Sequence, residues 1–274
     1  MTGPLISVTE LHERLGQVSV LDVRYRMVGP SGCAAFTANH VPGASYVDLD
    51  ADLAAEPGEG GRHPLPDPDV FEGAMQRAGV RNTRPVVVYD DWQGRAAARC
   101  WWLLRWAGHS DVRVLDGGWG AWQAAGYPTE EGGAEPDPGD FTVEPGQLPV
   151  LHTDEVLGAA RDGVLVDARA PARFRGETEP VDPVAGHVPG AVNVPTEANL
   201  AADGRLRSPD ELRAVYAAVG VGAAAGPDVA VYCGSGVTAC LDILALEVIG
   251  IPARLYPASW SGWVVDPGRP VEKA

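Results

Sequence analysis

Cys233 is the side chain of this sequence best placed for nucleophilic chemistry. It directly follows a short valine-rich run, Val229–Tyr232, and an apolar segment, Leu241–Leu246, comes soon after it. The run is typical of a buried strand, and we interpret the apolar segment as a helix. The loop between strand and helix also contains Gly234, Ser235, Gly236, Val237 and Thr238. Glycines allow backbone N–H groups to converge on one point, which the helix N-terminus also faces. We therefore expect a stabilised thiolate, with a pKa below the usual value of about 8.5.

Other roles for this loop fail on residue type and spacing. A phosphate-binding P-loop needs a lysine after its last glycine, where this chain has Val237. A cysteine-dependent phosphatase needs an arginine to close the loop, but Ala239 occupies that position. Cys240 lies within the predicted helix, so we interpret it as a packing residue.

Composition narrows the class of protein and its partners. The 274 residues carry a formal net charge of −16, which argues against nucleic acid and anionic membranes as partners. No apolar run approaches the length of a membrane span. The four cysteines show no metal-binding or disulfide spacing, so we expect no metal site and a cytoplasmic protein.

Four blocks of sequence recur in the same order, with offsets between 140 (255 − 115) and 147 (187 − 40) residues. The pairs are Val20–Arg24 with Leu165–Arg169, His40–Ala44 with His187–Ala191, Pro85–Asp90 with Asp228–Cys233, and Leu115–Trp122 with Leu255–Trp263. A nearly constant offset indicates two copies of one domain.

Each copy alternates short apolar strands with helical stretches, which predicts an α/β fold with a parallel sheet flanked by helices. We predict an N-terminal domain over 1–128, a linker over 129–149 that is rich in Pro, Gly and Glu, and a C-terminal domain over 150–274. Asp90 stands in the first copy where Cys233 stands in the second. The first copy is therefore predicted to be non-catalytic, and the nucleophile belongs to the second.

These motifs resemble the tandem rhodanese family of sulfurtransferases over nearly the whole chain. The resemblance rests on His-Val-Pro-Gly-Ala in both copies, Leu-Asp-Gly-Gly-Trp in the first, and the Cys-Gly-Ser-Gly-Val-Thr loop in the second. That loop is similar to the 3-mercaptopyruvate branch, since the thiosulfate branch has Arg-Lys in place of Gly234-Ser235. The resemblance implies a persulfide at Cys233, donor binding by the loop residues Gly234, Gly236, Val237 and Thr238, and no cofactor.

The resemblance also implies a proton relay of Ser235 with a histidine and an aspartate, which match His63 and Asp50. Such a relay would protonate the enolate that remains when mercaptopyruvate loses its sulfur. Thiosulfate transfer has no such need, because sulfite leaves as a stable anion.

Arg173 matches the arginine of the family that binds the donor carboxylate, a suitable partner for a guanidinium fork. The family places a second arginine about nine residues later, where this chain has Asp182. We expect Asp182 to repel an anionic donor. Whether Arg175 replaces the second arginine stays open.

We predict a sulfurtransferase that moves sulfur from 3-mercaptopyruvate, through a Cys233 persulfide, to cyanide or to a thiol such as thioredoxin. The alternative is a thiosulfate sulfurtransferase, in which thiosulfate is the sulfur donor. A non-catalytic persulfide carrier or regulatory module is an alternative of another class, and it needs no proton relay. A redox sensor built on Cys233 and Cys240 is less favoured, because the helical position of Cys240 is poor for a disulfide. We expect a monomer.

Overall fold

The computed structural model describes residues 3–26, 29, 31–133, 136–222 and 228–274. Two compact units make up this part of the chain. The first contains the described residues of Met1–Ala55, Leu65–Leu148 and Asp203–Arg205, and the second contains those of Glu56–Pro64, Pro149–Ala202 and Leu206–Ala274. Within the described ranges, every helix is too short or too polar to cross a membrane.

The first unit is a five-stranded parallel sheet with the strand order β1-β5-β4-β2-β3. Its strands are β1 (Leu5–Ile6), β2 (Ser19–Asp22), β3 (Ala44–Tyr46), β4 (Val86–Tyr89) and β5 (Val112–Leu115). Its helices are α1 (Val8–Glu13), α2 (Gly32–Ala38), α3 (Leu49–Asp52), α4 (Pro68–Arg77), α5 (Arg95–Trp106) and α6 (Gly118–Ala124). All four residues of β4 are buried, as expected for a central strand covered on both faces.

The second unit is a four-stranded parallel sheet with the order β7-β6-β8-β9. The strands are β6 (Val164–Asp167), β7 (Val192–Asn193), β8 (Val229–Tyr232) and β9 (Ala253–Leu255). The helices are α7 (Val156–Asp162), α8 (Pro171–Phe174), α9 (Pro209–Ala217), α10 (Ala239–Val248) and α11 (Ser259–Trp263), with 3₁₀ turns at Thr153–Glu155 and Thr196–Asn199. The strand β8 and the helix α10 are the elements predicted on either side of Cys233.

The two sheets repeat one strand order, because β3-β2-β4-β5 of the first unit corresponds to β7-β6-β8-β9 of the second. A buried ion pair follows the equivalent strand in each: Arg24 Nη2 lies 2.7 Å from Asp22 Oδ2, and Arg169 Nη2 lies 2.6 Å from Asp167 Oδ2. A pair present in both copies supports the fold rather than one site. The predicted fold, two α/β copies with parallel sheets flanked by helices, is confirmed.

The segment predicted as a linker, 129–149, packs largely along the first unit. Glu130 and His40 exchange backbone hydrogen bonds of 3.0 and 2.9 Å, and Phe141 is buried with its N–H bonded to the Val80 carbonyl. Two residues of the linker, Ala134 and Glu135, lie outside the described residues. The boundaries at 128 and 150 stay a prediction, which the folding of separately expressed fragments would test.

Candidate active site around Cys233

Cys233 lies at the carboxyl end of β8, the edge of a parallel sheet where the following loop faces the ligand side. Its side chain is buried, with 1% of the residue exposed. The Gly236 N–H donates to Cys233 Sγ at 3.2 Å. The Cys233 N–H in turn donates to Ser259 Oγ at 3.1 Å. The sulfur is therefore held in one place and is already contacted by a backbone donor.

Gly236 adopts a conformation that the loop cannot form with another residue. Its φ is +80°, and a Cβ at this position would lie 2.4 Å from the Pro257 carbonyl oxygen. Only glycine accepts both the left-handed backbone and this close approach. The second cysteine of the region, Cys240, donates its S–H to the Gly236 carbonyl at 3.4 Å and is fully buried. This position agrees with the packing role predicted for Cys240.

The start of α11 fixes the loop from the other side. The Trp260 N–H donates to the Cys233 carbonyl at 3.0 Å, and the Ser261 N–H donates to the Gly234 carbonyl at 2.9 Å. Ser259 has the positive φ of +54°, which costs of order 1–3 kcal/mol in a residue other than glycine. Its hydroxyl donates to the Tyr256 carbonyl at 2.9 Å while accepting from Cys233. These bonds hold Ser259 in its strained conformation and support the cysteine loop.

The equivalent loop of the first unit has Asp90 in place of the cysteine, and its backbone N–H groups contact that side chain. Asp90 is fully buried at the end of β4. Its Oδ1 accepts from the N–H groups of Trp92 (2.9 Å) and Gly94 (2.8 Å), and its Oδ2 accepts from Ala96 (2.8 Å) and Ala97 (2.9 Å). Four backbone donors thus surround one carboxyl group. Burial raises the pKa of Asp90, and the backbone hydrogen bonds oppose that rise. In the first copy, the loop after the central strand therefore directs its N–H groups at its own acidic side chain.

Two guanidinium groups lie next to the loop of the second unit. A Cβ on Gly234 would be 2.9 Å from Arg62 Nη2 and 3.5 Å from Arg173 Nη1. Arg173 donates from Nε and Nη2 to Glu179 at 3.0 and 2.6 Å, and from Nη2 to Asp182 at 3.0 Å. Arg62 Nη1 forms an ion pair with the other oxygen of Asp182. Asp182 therefore bridges the two arginines.

Asp182 is paired with two cations, Arg62 and Arg173, and the expectation that it repels an anionic donor stays a prediction. Burial raises the pKa of Asp182, the charge of Glu179 adds to this rise, and Arg62 and Arg173 oppose it. Burial also acts to raise the pKa of Glu179, but hydrogen bonds from Arg173 and from backbone N–H groups outweigh it, so this pKa is lowered. Arg175 points to a separate partner and donates to Glu177 at 2.7 and 3.0 Å.

Comparison with known proteins identifies the family. The sequence pattern of the Rhodanese-like domain matches residues 7–125 and 152–266, one match in each copy. The chain belongs to the rhodanese-like domain family. The identification made from the cysteine loop and the repeat is confirmed.

Relatives of rhodanese-like type cover nearly all of this chain. It is 46% identical to a protein of Mycobacterium tuberculosis named putative thiosulfate sulfurtransferase SseB, over 93% of this chain and 90% of that one. It is 45% identical to a probable 3-mercaptopyruvate sulfurtransferase of Pseudomonas aeruginosa, over 98% of each chain. The crystal structure of the 3-mercaptopyruvate sulfotransferase SseA of Escherichia coli superposes with a TM-score of 0.84 at 32% identity, over 95% of this chain and 100% of that one. The chain is a rhodanese-like sulfurtransferase, as predicted.

The other predicted site residues of the cysteine loop in this rhodanese-like protein lie between β8 and α10. Val237 is buried and Thr238 is half-buried, and their carbonyls accept N–H groups from the first turn of the helix α10, those of Cys240 (3.1 Å) and Leu241 (3.0 Å). Ser235 is half-buried in the middle of the loop. These residues form the transition from strand to helix that the sequence predicted.

The predicted relay partners of Ser235 come from distant parts of the sequence. His63 is half-buried in the Glu56–Pro64 segment, which belongs to the second unit together with Ser235. Asp50 is an exposed residue of α3 in the first unit, and its N–H donates to Asp48 at 2.9 Å. The relay of Ser235, His63 and Asp50 stays a prediction.

Sequence reasoning about this rhodanese-like chain missed Arg62 and Ser259. Arg62 stands directly before His63, in a stretch rich in glycine and proline that contains Gly60, Gly61 and Pro64. The sequence therefore indicates a loop but not the part of the protein that this loop contacts. Its docking depends on Gly61, whose φ is +94° and whose Cβ would lie 2.5 Å from the Ala258 carbonyl oxygen. In the sequence, the only available signals were the glycines themselves: Gly61 and Gly236 lie where the backbone passes close to the carbonyl groups of Ala258 and Pro257.

Proposed function

We propose that this sulfurtransferase takes sulfur from 3-mercaptopyruvate and carries it as a persulfide on Cys233. The supporting observation is the buried Cys233 sulfur with the Gly236 N–H 3.2 Å away, in a loop whose Gly234 lies next to the guanidinium groups of Arg62 and Arg173. The backbone donor stabilises negative charge on sulfur. The guanidinium groups provide the counter-charge that an anionic donor needs on a chain of net charge −16.

The first half of the reaction forms an S–S bond and breaks the C–S bond of the donor. The Cys233 thiolate attacks the donor sulfur, and the electron pair of the C–S bond leaves on the pyruvate enolate. The enolate then takes up a proton to give pyruvate. In this proposal Ser235, His63 and Asp50 deliver that proton, while Arg173 holds the donor carboxylate.

The second half returns the enzyme to its starting state. A nucleophilic acceptor, cyanide or a thiol such as that of thioredoxin, attacks the outer sulfur of the persulfide. The S–S bond breaks, the sulfur stays with the acceptor, and the electron pair returns to the Cys233 thiolate. The glycine loop supports this step because its backbone donors stabilise the departing thiolate.

Thiosulfate is the second candidate donor, and the M. tuberculosis relative of this chain is named a putative thiosulfate sulfurtransferase. The space beside Gly234 favours mercaptopyruvate. In this chain Arg62 Nη2 and Arg173 Nη1 lie 2.9 and 3.5 Å from the place where a Cβ at residue 234 would stand, which leaves little room for a further cationic side chain there. Ser235 also keeps a hydroxyl where the thiosulfate branch would place a cation. We therefore propose mercaptopyruvate as the better donor.

The experiment that tests the proposal combines intact-mass and steady-state measurements. Incubation with 3-mercaptopyruvate and no acceptor is expected to add one sulfur, on the Cys233 peptide, and Cys233→Ser is expected to lose both the added sulfur and the turnover. A matched control is Cys240→Ser, which changes the neighbouring buried cysteine and is expected to keep persulfide formation. Full turnover by Cys233→Ser would disprove the proposal.

The proton relay is tested by comparing donors. We expect His63→Ala to lower turnover of 3-mercaptopyruvate by about 10²-fold, the usual effect of losing a proton-transfer group. Thiosulfate turnover is expected to change far less, because sulfite leaves without a proton. Equal losses with both donors would assign His63 a structural role. The turnover rates of the wild-type protein with each donor also show which of the two donors it prefers.

We also propose that the enzyme acts as a monomer in the cytoplasm. The sequence supports the compartment, because its four cysteines show no disulfide spacing. Gel filtration with light scattering and cell fractionation are the direct tests of these two points.

A further inference from the structure

We propose that Val181, Val184 and Val271 form a docking surface for the protein whose thiol accepts sulfur from Cys233. We name these three residues the valine surface. The inference deepens the proposed function and rests on it for the persulfide. The partner that fits this surface is a protein whose reactive thiol stands on an apolar, uncharged part of its own surface.

The valine surface gathers exposed apolar side chains. Among the described residues, six large apolar side chains are exposed, and three of them are Val181, Val184 and Val271, with 52%, 38% and 36% exposed. The two prolines of the segment 180–184 are exposed as well. Val271 belongs to the group because its Cγ1 lies 2.6 Å from the place where a Cβ on Gly186, two residues after Val184, would stand. Single exposed valines are ordinary, but grouped ones mark interaction sites.

The backbone of this surface is fixed before any partner binds. Glu179 Oε1 accepts the N–H groups of Val181 and Asp182, both at 3.1 Å. The Val184 carbonyl accepts the indole N–H of Trp260 at 2.9 Å. The two prolines of the segment restrict its backbone further. Because the surface is already ordered, docking loses little conformational entropy and more of the contact energy is available for binding.

Trp260 connects the valine surface to the nucleophile. Its indole N–H holds Val184, and its backbone N–H donates to the Cys233 carbonyl at 3.0 Å. A second connection runs through Asp182, which forms an ion pair of 3.0 Å with Arg173, one of the two arginines beside the cysteine loop. The valine surface therefore adjoins the cysteine loop at two points.

The valine surface belongs to the copy that contains Cys233. In the first unit, the stretch between the repeated blocks 20–24 and 40–44 contains the helix α2. In the second unit, the equivalent stretch contains the short helix α8 and then a loop, in which Val181 and Val184 lie. A feature shared by both copies supports the fold. One that differs between the copies and lies beside the nucleophile points to a role in the reaction.

The burial of the nucleophile distinguishes small acceptors from protein acceptors. Cys233 is 1% exposed, so a small nucleophile such as cyanide reaches its sulfur without contacting the valine surface. A protein must insert a protruding thiol, and it then covers the surface around the cysteine loop. The valine surface therefore matters for a protein acceptor and not for cyanide.

The charge of the region defines the chemistry of that protein. The segment 180–185 has one charged residue, Asp182, which is buried and paired with two cations. On a chain with a formal net charge of −16, such a surface selects its partner by apolar contact rather than by charge. The matching surface of the partner is apolar around its thiol.

A single-turnover transfer measures docking directly. The protein is loaded with sulfur on Cys233 and mixed with reduced thioredoxin, the protein thiol used as the probe. The thioredoxin thiolate attacks the outer sulfur and the Cys233 thiolate is released, so intact mass follows the loss of one sulfur. We expect Val181→Asp and Val184→Asp to raise the half-saturating concentration of thioredoxin by about 10-fold, or 1.4 kcal/mol, because docking would bury an unpaired carboxylate. The rate of transfer to cyanide is expected to stay the same.

Val265→Asp and Val70→Asp are matched controls, since both valines are 51% exposed and lie outside the valine surface. We expect both variants to keep the half-saturating concentration of the wild-type protein. Val181→Leu keeps an apolar side chain and is expected to stay within about threefold of wild type. An unchanged value in Val181→Asp, an equal rise in Val265→Asp, or no transfer from the wild-type protein to thioredoxin would overturn the inference.

A binding titration separates this inference from the proposed function. Reduced thioredoxin is titrated by calorimetry into the protein without persulfide, and Val181→Asp is expected to raise the Kd by about 10-fold. If the wild-type protein took no sulfur from either donor, the proposed function would fail, while the titration would still decide whether the valine surface binds the partner. Light scattering tests a second copy of this chain as the occupant. A wild-type dimer that becomes a monomer in Val181→Asp would overturn the inference.

Discussion

Replacing Gly236 by alanine tests whether the backbone of the cysteine loop takes part in sulfur transfer. The added Cβ would lie 2.4 Å from the Pro257 carbonyl oxygen, well inside van der Waals contact. The neighbouring atoms are backbone and cannot rotate away. The loop must therefore shift by several tenths of an ångström, and the Gly236 N–H that reaches Cys233 Sγ at 3.2 Å shifts with it.

Gly250 provides a matched control for the conformational part of this change. Its φ of +76° is close to the +80° of Gly236. In the described part of the chain, no heavy atom beyond its two chain neighbours lies within 4 Å of the place where a Gly250 Cβ would stand. Both alanine variants incur the cost of a left-handed backbone, about 1–2 kcal/mol. Only Gly236→Ala adds the collision and the displaced donor.

The size of the catalytic effect follows from the role of the donor. Loss of one backbone-type hydrogen bond to a developing anion lowers kcat by about 10²- to 10³-fold, or about 2.7–4 kcal/mol. We expect a loss of this order for Gly236→Ala with 3-mercaptopyruvate, and a change below about threefold for Gly250→Ala, whose strain lies at the far end of α10.

The assay measures kcat and urea unfolding for both variants under the same conditions. A loss of kcat that is much larger in Gly236→Ala than in Gly250→Ala, while urea unfolding shows both variants folded under the assay conditions, would show that the loop donor acts on the sulfur. If Gly236→Ala kept the kcat of Gly250→Ala, the Gly236 N–H would have no part in stabilising charge on Cys233, and the reasoning would be refuted.

Two further predictions concern stability. Asp90→Ala is expected to lower the free energy of unfolding by about 3–5 kcal/mol, because two buried and two part-buried N–H groups lose their acceptor. Asp91→Ala removes a more exposed ion pair with Arg26 and is expected to cost about 1 kcal/mol or less. Equal urea midpoints for these variants would contradict this. Glu179→Gln is expected to cost about 2 kcal/mol at pH 7. The folded pKa of Glu179 lies below its unfolded value of about 4.3, so this contribution is present above that pH and is lost as the pH falls through the folded pKa. Unfolding measured at pH 7 and below pH 4 checks the sign, and a difference between wild type and variant that grows on acidification would contradict it.

The strands and helices around Cys233 were predictable because their signals are local. An all-apolar run such as Val229–Tyr232 forms a buried strand wherever the fold places it, and the buried β8 has these bounds. The helix that follows is α10, whose residues from Ala239 to Leu246 are all buried. The repeat added long-range information, since equivalent blocks in two copies imply one strand order in both sheets.

The sequence alone was enough to predict the nucleophile of this protein. A cysteine in a glycine loop between strand and helix, with Asp90 in the equivalent loop of the other copy, favours Cys233 without any coordinates. Its chemistry follows from residue type and local backbone, which the order of residues specifies. The rhodanese-like family followed from the same loop and from the repeated blocks.

Only the tertiary structure decided which charges lie beside the Cys233 loop. Arg62 and Asp182 are 120 residues apart in the chain and form an ion pair, and Arg62 reaches Gly234 although Arg175 is far nearer in sequence. No periodicity or spacing encodes such a contact, because it depends on where a glycine-rich loop docks on α11. Side chains that meet across long loops are brought together by packing, and packing is a property of the folded chain as a whole.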